Sequence, residues 1–264
     1  MISYFGAIWK CRHFWLSMVR LDLRTRYRRS VLGLGWSLMH PICMTAILCV
    51  VFQSLMNVSI IDFAPHLLGG LAVWSYIVSC ASQGCLAMFQ GEPYIRQCPM
   101  PLAIFPLRTV LGASFHMLIQ LAVVIAFVAG LNVLGFRPVN YAMLLHLIPA
   151  LPLLFVFCWS LAIILAVVNV YFQDTQHLTD IGFQMLFYAT PIIYYPRVLQ
   201  EHNLGWLMDY NPAVLFLRMI RDPLLDGTGP SLMIYAQALT FVAAFAGLAA
   251  LLLMRAQKRL IFHL

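Results

Sequence analysis

Six long runs without Lys, Arg, Asp or Glu divide this chain of 264 residues. A helix needs about 20 apolar residues to cross roughly 30 Å of hydrocarbon, and five of the six runs reach that length. The fifth run is short, but it can borrow Leu178 and Thr179 or cross with little tilt. The pattern therefore predicts six transmembrane helices. The runs cover residues 30–61, 63–91, 109–136, 138–173, 181–196 and 227–254.

The overall composition also indicates a membrane protein. Hydrophobic residues make up 62% of the chain and charged residues only 9%, and the mean hydropathy is +0.87. About a quarter of the residues in soluble globular domains are charged. We therefore expect an all-α integral membrane protein.

Cations next to the first run predict the orientation of the chain. Arg24, Arg26, Arg28 and Arg29 immediately precede that run, and short cytoplasmic segments are enriched in Lys and Arg. If both termini are cytoplasmic, twelve cations lie on the inner side and four on the outer side. This count favours cytoplasmic termini, although the inner loop at 174–177 carries no cation.

The N-terminal residues predict an amphipathic helix at the cytoplasmic interface rather than a signal peptide, because cations interrupt their apolar positions. Such a helix fits membrane anchoring and partner docking equally well. Its apolar positions form one stripe, which contains Tyr4, Ile8, Cys11, Trp15, Met18 and Val19. Its polar positions lie opposite and are Gly6, Lys10, His13, Ser17 and Arg20.

The chain has no motif for binding nucleotide or metal. A phosphate-binding loop needs a Gly-Lys pair, and neither Lys10 nor Lys258 follows a glycine. The seven cysteines have no paired or metal-type spacing, so we expect no disulfide and no metal site. Any ATP-driven step therefore requires a separate subunit.

Three ionisable residues at the start of the fifth predicted span form a possible reactive group. Asp174, His177 and Asp180 are three residues apart and would share one face of a helix. They could form a metal site or a proton relay. The simpler interpretation, which we favour because residues 173–176 are polar, is that they cap helix ends at the aqueous edge.

Several blocks of the sequence resemble the membrane subunits of ABC-2-type exporters of bacterial cell-surface polysaccharides, namely O-antigen, capsule and teichoic acid permeases. The resemblance extends over essentially the whole chain. The blocks are residues 24–41, 170–178, 190–196 and the pair Asn211–Pro212.

The resemblance implies a single ABC-2 type transmembrane domain over residues 1–264. Residues 1–29 would form the interface helix and basic segment, 30–254 the six-span region, and 255–264 a cytoplasmic tail. Between spans five and six, the two apolar pieces at 204–208 and 213–220 are each too short to cross a bilayer. Two short re-entrant or surface helices fit there, and the resemblance implies the re-entrant pair, which in the resembled family forms the outer gate.

The resemblance also implies the partners and the transported substrate. The chain would be a non-enzymatic permease subunit that pairs with a second copy of itself and with two ATP-binding subunits, which would hold ATP and magnesium. It would bind no cofactor or nucleic acid. Surrounded by membrane lipid, it would export an undecaprenyl-diphosphate-linked glycan across a bacterial inner membrane.

Candidate sites follow from the same blocks. The four arginines before the first span could serve topology alone, or they could bind the lipid diphosphate through their guanidinium groups; the resemblance favours the second role. The loop at 90–101 could be a plain connector, but we expect it to be the coupling helix, which contacts the ATP-binding subunit through Glu92, Tyr94, Ile95 and Arg96.

Aromatic side chains in and after the fifth span could pack against sugar rings along the transport path, although core or lipid packing explains any one of them. They are Phe183, Phe187, Tyr188, Tyr194 and Tyr195. Two other functions remain open. The chain could be an ABC-2 subunit for drugs or small lipids, or a membrane-embedded glycosyl- or acyltransferase that uses the Asp174 group. A channel would need more polar residues along its spans.

Overall fold

The computed structural model describes residues 2–28, 30, 33–56, 59–98, 100–136, 140–201, 205–256 and 260, and every regular element in these ranges is helical. The expected all-α class is confirmed. The helices in chain order are α1 (Ile2–Lys10), α2 (Arg12–Tyr27), α3 (Trp36–Met56), α4 (Ile60–Gln97), α5 (Ile104–Val133), α6 (Leu147–Tyr171), α7 (Thr175–Ala189), α8 (Pro196–Glu201), α9 (Trp206–Tyr210), α10 (Pro212–Arg221) and α11 (Leu232–Ala256).

Five helices of the described ranges, α3, α4, α5, α6 and α11, are long and apolar enough to cross a membrane. The fifth predicted span corresponds to α7, whose 15 residues extend only about 22 Å at 1.5 Å per residue. Helix α7 ends at Ala189, and the next residue, Thr190, has extended backbone angles because the following Pro191 disfavours a helical conformation there. A sixth crossing stays a prediction.

Helix α4 lies at the centre of the bundle and packs against α3, α5, α6, α7 and α10. Its tightest contact is with α6, where a Cβ atom on Gly84 would lie only 2.8 Å from the Cα atom of Ala162. Beside this contact the Asn169 amide of α6 donates a hydrogen bond of 2.8 Å to the carbonyl of Cys85. The glycine thus lets the two helix backbones approach closely, as is common between membrane helices.

The predicted amphipathic N-terminus is confirmed as a pattern, but it consists of two helices joined by a turn at Cys11. On the apolar stripe, Ile8 and Met18 are buried in a cluster with residues of the α4–α5 connection. The polar positions opposite are exposed. An ion pair between Asp22 of α2 and Arg108 of α5 ties these helices to the bundle.

The predicted loop at 90–101 is mostly helical. Helix α4 continues through Pro93 to Gln97, so the expected coupling helix is not a separate element in a loop but the end of α4. A proline inside a helix removes one backbone hydrogen bond, and packing of the buried Ile95 offsets that loss. The remaining connection to α5 is residues 98–103.

The predicted break between the two outer pieces is confirmed. Helix α9 ends at Tyr210, and Asn211 begins α10 by accepting a hydrogen bond of 3.0 Å from the N–H of Ala213. Proline at the next position suits a helix start because it has no N–H to satisfy. The re-entry of α9 and α10 into the membrane stays a prediction.

We expect Gly84→Ala to destabilise the protein by about 1–3 kcal/mol, because the added methyl group would force α4 and α6 apart. Thermal unfolding of the purified protein in detergent measures this loss. The matched control is Gly247→Ala in α11, where an added Cβ has no neighbour within 4 Å. Equal unfolding temperatures for the two variants would contradict the close contact.

Candidate functional site

One end of the bundle, here called the basic end, consists of α2, the last turns of α4 and the first turns of α5. The Asp22–Arg108 ion pair joins α2 to α5. The ring of Phe14 packs edge-on against Tyr94, with ring centroids 5.3 Å apart, and so joins α2 to α4. These contacts hold the arginine segment and the end of α4 in one surface.

The arginine segment is exposed at this end. Arg24 and Arg26 lie in the last turn of α2, and Arg28 is the residue that ends the helix; Arg29 lies outside the described residues. In the part of the chain that the structure describes, no carboxylate pairs with these three arginines. Cations at a helix C-terminus interact favourably with the helix dipole. The guanidinium groups of these three arginines are exposed and accessible to an anion.

The four predicted coupling residues occupy the last turns of α4. Glu92 and Arg96 form an exposed ion pair of 2.9 Å, and Tyr94 is partly exposed beside Phe14. Ile95 is buried among apolar side chains, so it packs beneath the exposed residues and does not lie on the surface. A partner at this position can contact only Glu92, Tyr94 and Arg96 of the four.

The five aromatic residues do not form one continuous track. Phe183 and Phe187 each pack on Trp74 of α4 with ring centroids 5.9 Å away. The exposed Tyr188 ring lies edge-on to Phe187 with ring centroids 5.4 Å apart, and its carbonyl accepts a hydrogen bond of 2.8 Å from the hydroxyl of Tyr194. Tyr195 is separate from these four residues and lies against His66, 4.7 Å between ring centroids.

Asp174, His177 and Asp180 do not assemble a reactive centre. Asp174 directly precedes the first residue of α7 and forms no capping hydrogen bond through its side chain, while Asp180 accepts a hydrogen bond from Ser82 of α4. No cluster of three metal-ligating side chains occurs within the described ranges. Asp174 thus occupies the helix end that the favoured interpretation expects, although its side chain forms no capping hydrogen bond, and Asp180 instead helps to hold α7 against α4.

A buried arginine that the sequence analysis did not identify organises the opposite end of the bundle. The side chain of Arg221 is only 6% exposed, and it donates hydrogen bonds of 2.7 and 3.1 Å to the carbonyls of Pro191 and Ile192. A Cβ atom on Gly70 would overlap its guanidinium group. Arg221 thus ties the segment after α7 to α10 and α4.

A polar cavity of about 610 Å³ lies beside Arg221 at this opposite end. Burial lowers the pKa of Arg221 to about 9, with Asp222 opposing the shift, so the guanidinium stays charged at neutral pH. Burial also raises the pKa of Asp222 to about 6, against the effect of Arg218. Other residues that line the cavity are Asp62, His66, Tyr195 and Asp226.

Sequence alone gave little indication of Arg221. It stands in an apolar segment beside Asp222, where an exposed surface charge is the ordinary expectation. The pair Gly69–Gly70 was the available signal, because adjacent glycines in a long helix often mark a close approach by another group.

Comparison with known proteins identifies the same family that the sequence blocks resemble. The sequence profile of the ABC-2 type transporter family matches residues 13–225. The chain is 28% identical over 211 residues to an O-antigen export system permease protein RfbA of Klebsiella pneumoniae, which is 78% of each chain. It is 26% identical to a protein of the same name from Myxococcus xanthus over 81% of each chain. It is also 25% identical to the polysialic acid transport protein KpsM of Escherichia coli over 86% of this chain and 88% of that one.

We expect Arg221→Lys to lower the free energy of unfolding by about 1.5–3 kcal/mol. A lysine keeps the charge but cannot donate to two carbonyls through a planar fork. Thermal unfolding followed by tryptophan fluorescence measures the change. Arg218→Lys is the control on the exposed side of α10 and should stay within about 0.5 kcal/mol of the wild type; similar losses in both variants would contradict the role of Arg221.

Proposed function

This chain belongs to the ABC-2 type transporter family, and on that premise we propose that it is the permease subunit of an exporter of lipid-linked, O-antigen-type polysaccharide. The observation that carries the proposal is the similarity to three proteins named for O-antigen export or polysialic acid transport over 78–88% of their lengths. The family match over residues 13–225 also includes the arginine segment at the basic end and Arg221 at the opposite end.

In the proposed exporter, ATP is hydrolysed by two separate subunits. The surface formed by Glu92, Tyr94 and Arg96 is the proposed contact for such a subunit. Helix α4 bears this surface at one end and packs at the centre of the bundle, so a displacement of the surface would move the bundle as well. A second copy of this chain completes the transport path. Both termini face the cytoplasm of a bacterial cell, and the chain resides in the inner membrane.

The proposed substrate carries a diphosphate between an undecaprenyl tail and the glycan. Arg24, Arg26 and Arg28 are exposed and have no carboxylate partner within the described ranges. Guanidinium groups bind phosphate oxygens through two parallel hydrogen bonds. The arginine segment is therefore the proposed contact for the diphosphate, while the lipid tail remains in the membrane.

Deleting the chain in its own bacterium tests the function. Surface polysaccharide should disappear and its lipid-linked precursor should accumulate inside the cell. A plasmid copy of the chain should restore export only while the ATP-binding subunit is intact. Normal surface polysaccharide in the deletion strain would contradict the proposal and favour a transporter of drugs or small lipids.

We expect the double variant Arg26→Gln with Arg28→Gln to lower polysaccharide export at least about tenfold, because each lost bond to a charged phosphate is worth about 1.5–3 kcal/mol. Quantifying surface polysaccharide in the complemented deletion strain measures the loss. Membrane insertion and recovery of the ATP-binding subunit should stay normal.

The double variant Arg12→Gln with Arg20→Gln is its control. It removes the same amount of charge from the same helix, one turn or more away from the arginine segment, and so it tests any general effect on topology. Unchanged export by the Arg26 and Arg28 variant, or an equal loss in the control, would count against diphosphate binding.

A further inference from the structure

A polar groove runs from the basic end of the bundle into its apolar region, between α3, α4 and α5. It consists of two cavities of about 340 and 270 Å³, whose walls share Arg26, Gln83 and His116. Small-molecule sites in proteins are of similar size, from about 300 Å³ upward. This groove is separate from the polar cavity beside Arg221.

Two walls of the groove, on α4 and α5, are helix faces with a regular polar pattern. On α5, Arg108, Gly112, His116 and Gln120 are spaced by four residues, so they share one face. From Arg108 to Gln120 the helix rises about 18 Å, which is more than half of a hydrocarbon layer of roughly 30 Å. The facing positions on α4 are Ser75, Ser79, Gln83 and Gln90.

Hydrogen bonds fix the inner end of the groove. The amide oxygen of Gln120 accepts a bond of 2.9 Å from Ser75, and its amide nitrogen donates a bond of 3.0 Å to the carbonyl of Ser37. The Ser37 hydroxyl and the His116 ring share another bond of 3.0 Å. These contacts join α3, α4 and α5, so the shape of the groove is set before anything binds.

Two polar side chains in the middle of the groove lack such partners. Ser79 and Gln83 line it, and neither has a hydrogen-bond partner among the residues that the structure describes. An unsatisfied polar group at membrane depth costs several kcal/mol, so such groups usually line a water-filled or ligand-filled space. Ser79 and Gln83 are therefore the groups available to a hydroxyl-bearing ligand.

The mouth of the groove is positively charged. Arg108 is paired with Asp22, whereas Arg26 is exposed and has no ion-pair partner within the described ranges. A ligand with an anionic group at the mouth and hydroxyl groups further inside would pair with Arg26 and also form hydrogen bonds with Ser79 and Gln83. A sugar joined to a lipid phosphate has this chemistry, whereas a lipid diphosphate without sugar supplies only the anionic part.

We propose that this groove binds the sugar units next to the phosphate of the exported lipid, with Arg26 at the phosphate and Ser79 and Gln83 at sugar hydroxyls. The proposal rests on the proposed export function and adds an intramembrane glycan site within one subunit. The site selects lipids that bear a sugar over the bare lipid diphosphate, because only the sugar reaches the middle of the groove.

Binding to the purified complex of this chain with its ATP-binding subunit, reconstituted in nanodiscs, tests the proposal. The probes are undecaprenyl diphosphate carrying a disaccharide and undecaprenyl diphosphate without sugar. We expect Gln83→Leu to weaken binding of the disaccharide probe about tenfold and to leave the sugar-free probe unchanged. Arg26→Gln should weaken binding of both probes.

Gln83 is suited to this test because its amide has no hydrogen-bond partner to lose among the residues that the structure describes. The matched control is Gln237→Leu on the exposed side of α11, which should bind both probes as the wild type does. If the wild type binds the disaccharide probe and Gln83→Leu binds it equally well, the groove proposal fails while export stands. If the wild type binds neither probe, the export function fails and the groove proposal fails with it.

Discussion

Close approach of neighbouring groups to the backbone of α4 is the constraint on which the rest of the structure depends. At Gly84 the backbone of α6 lies so near that a single methyl group would collide with Ala162. At Gly70 the missing side chain leaves room for the guanidinium of Arg221. Membrane helices gain little from the hydrophobic effect when they associate, so contacts of this kind hold the bundle together.

The two ends of α4 use positive charge in different ways. At the basic end, Arg24, Arg26 and Arg28 are exposed and available to an anion. At the opposite end, Arg221 is buried, and its charge is used to hold the carbonyls of Pro191 and Ile192. The exposed arginines are thus the proposed binding groups at one end, whereas Arg221 holds the fold around the polar cavity at the other end.

Several features could be predicted from local patterns because they depend only on neighbours in the sequence. The amphipathic stripe of the N-terminus and the helix start at Asn211 are of this kind. The end of α4 could not be predicted, because Pro93 normally indicates a helix boundary and the packing of Ile95 overrides it. The groove was missed because its polar residues are isolated in the sequence and come together only when α4 and α5 face each other.

The sequence by itself determined that the chain is an all-helical membrane protein with a basic segment before its first span, because hydropathy and local charge decide which segments can enter hydrocarbon. It also contained the blocks that identify the family. Only the tertiary structure decided that Arg221 is buried, that Asp180 contacts α4, and that Gln83 and Gln120 line one groove. These facts depend on which helix faces meet, and that choice is made by the packing of residues far apart in the chain.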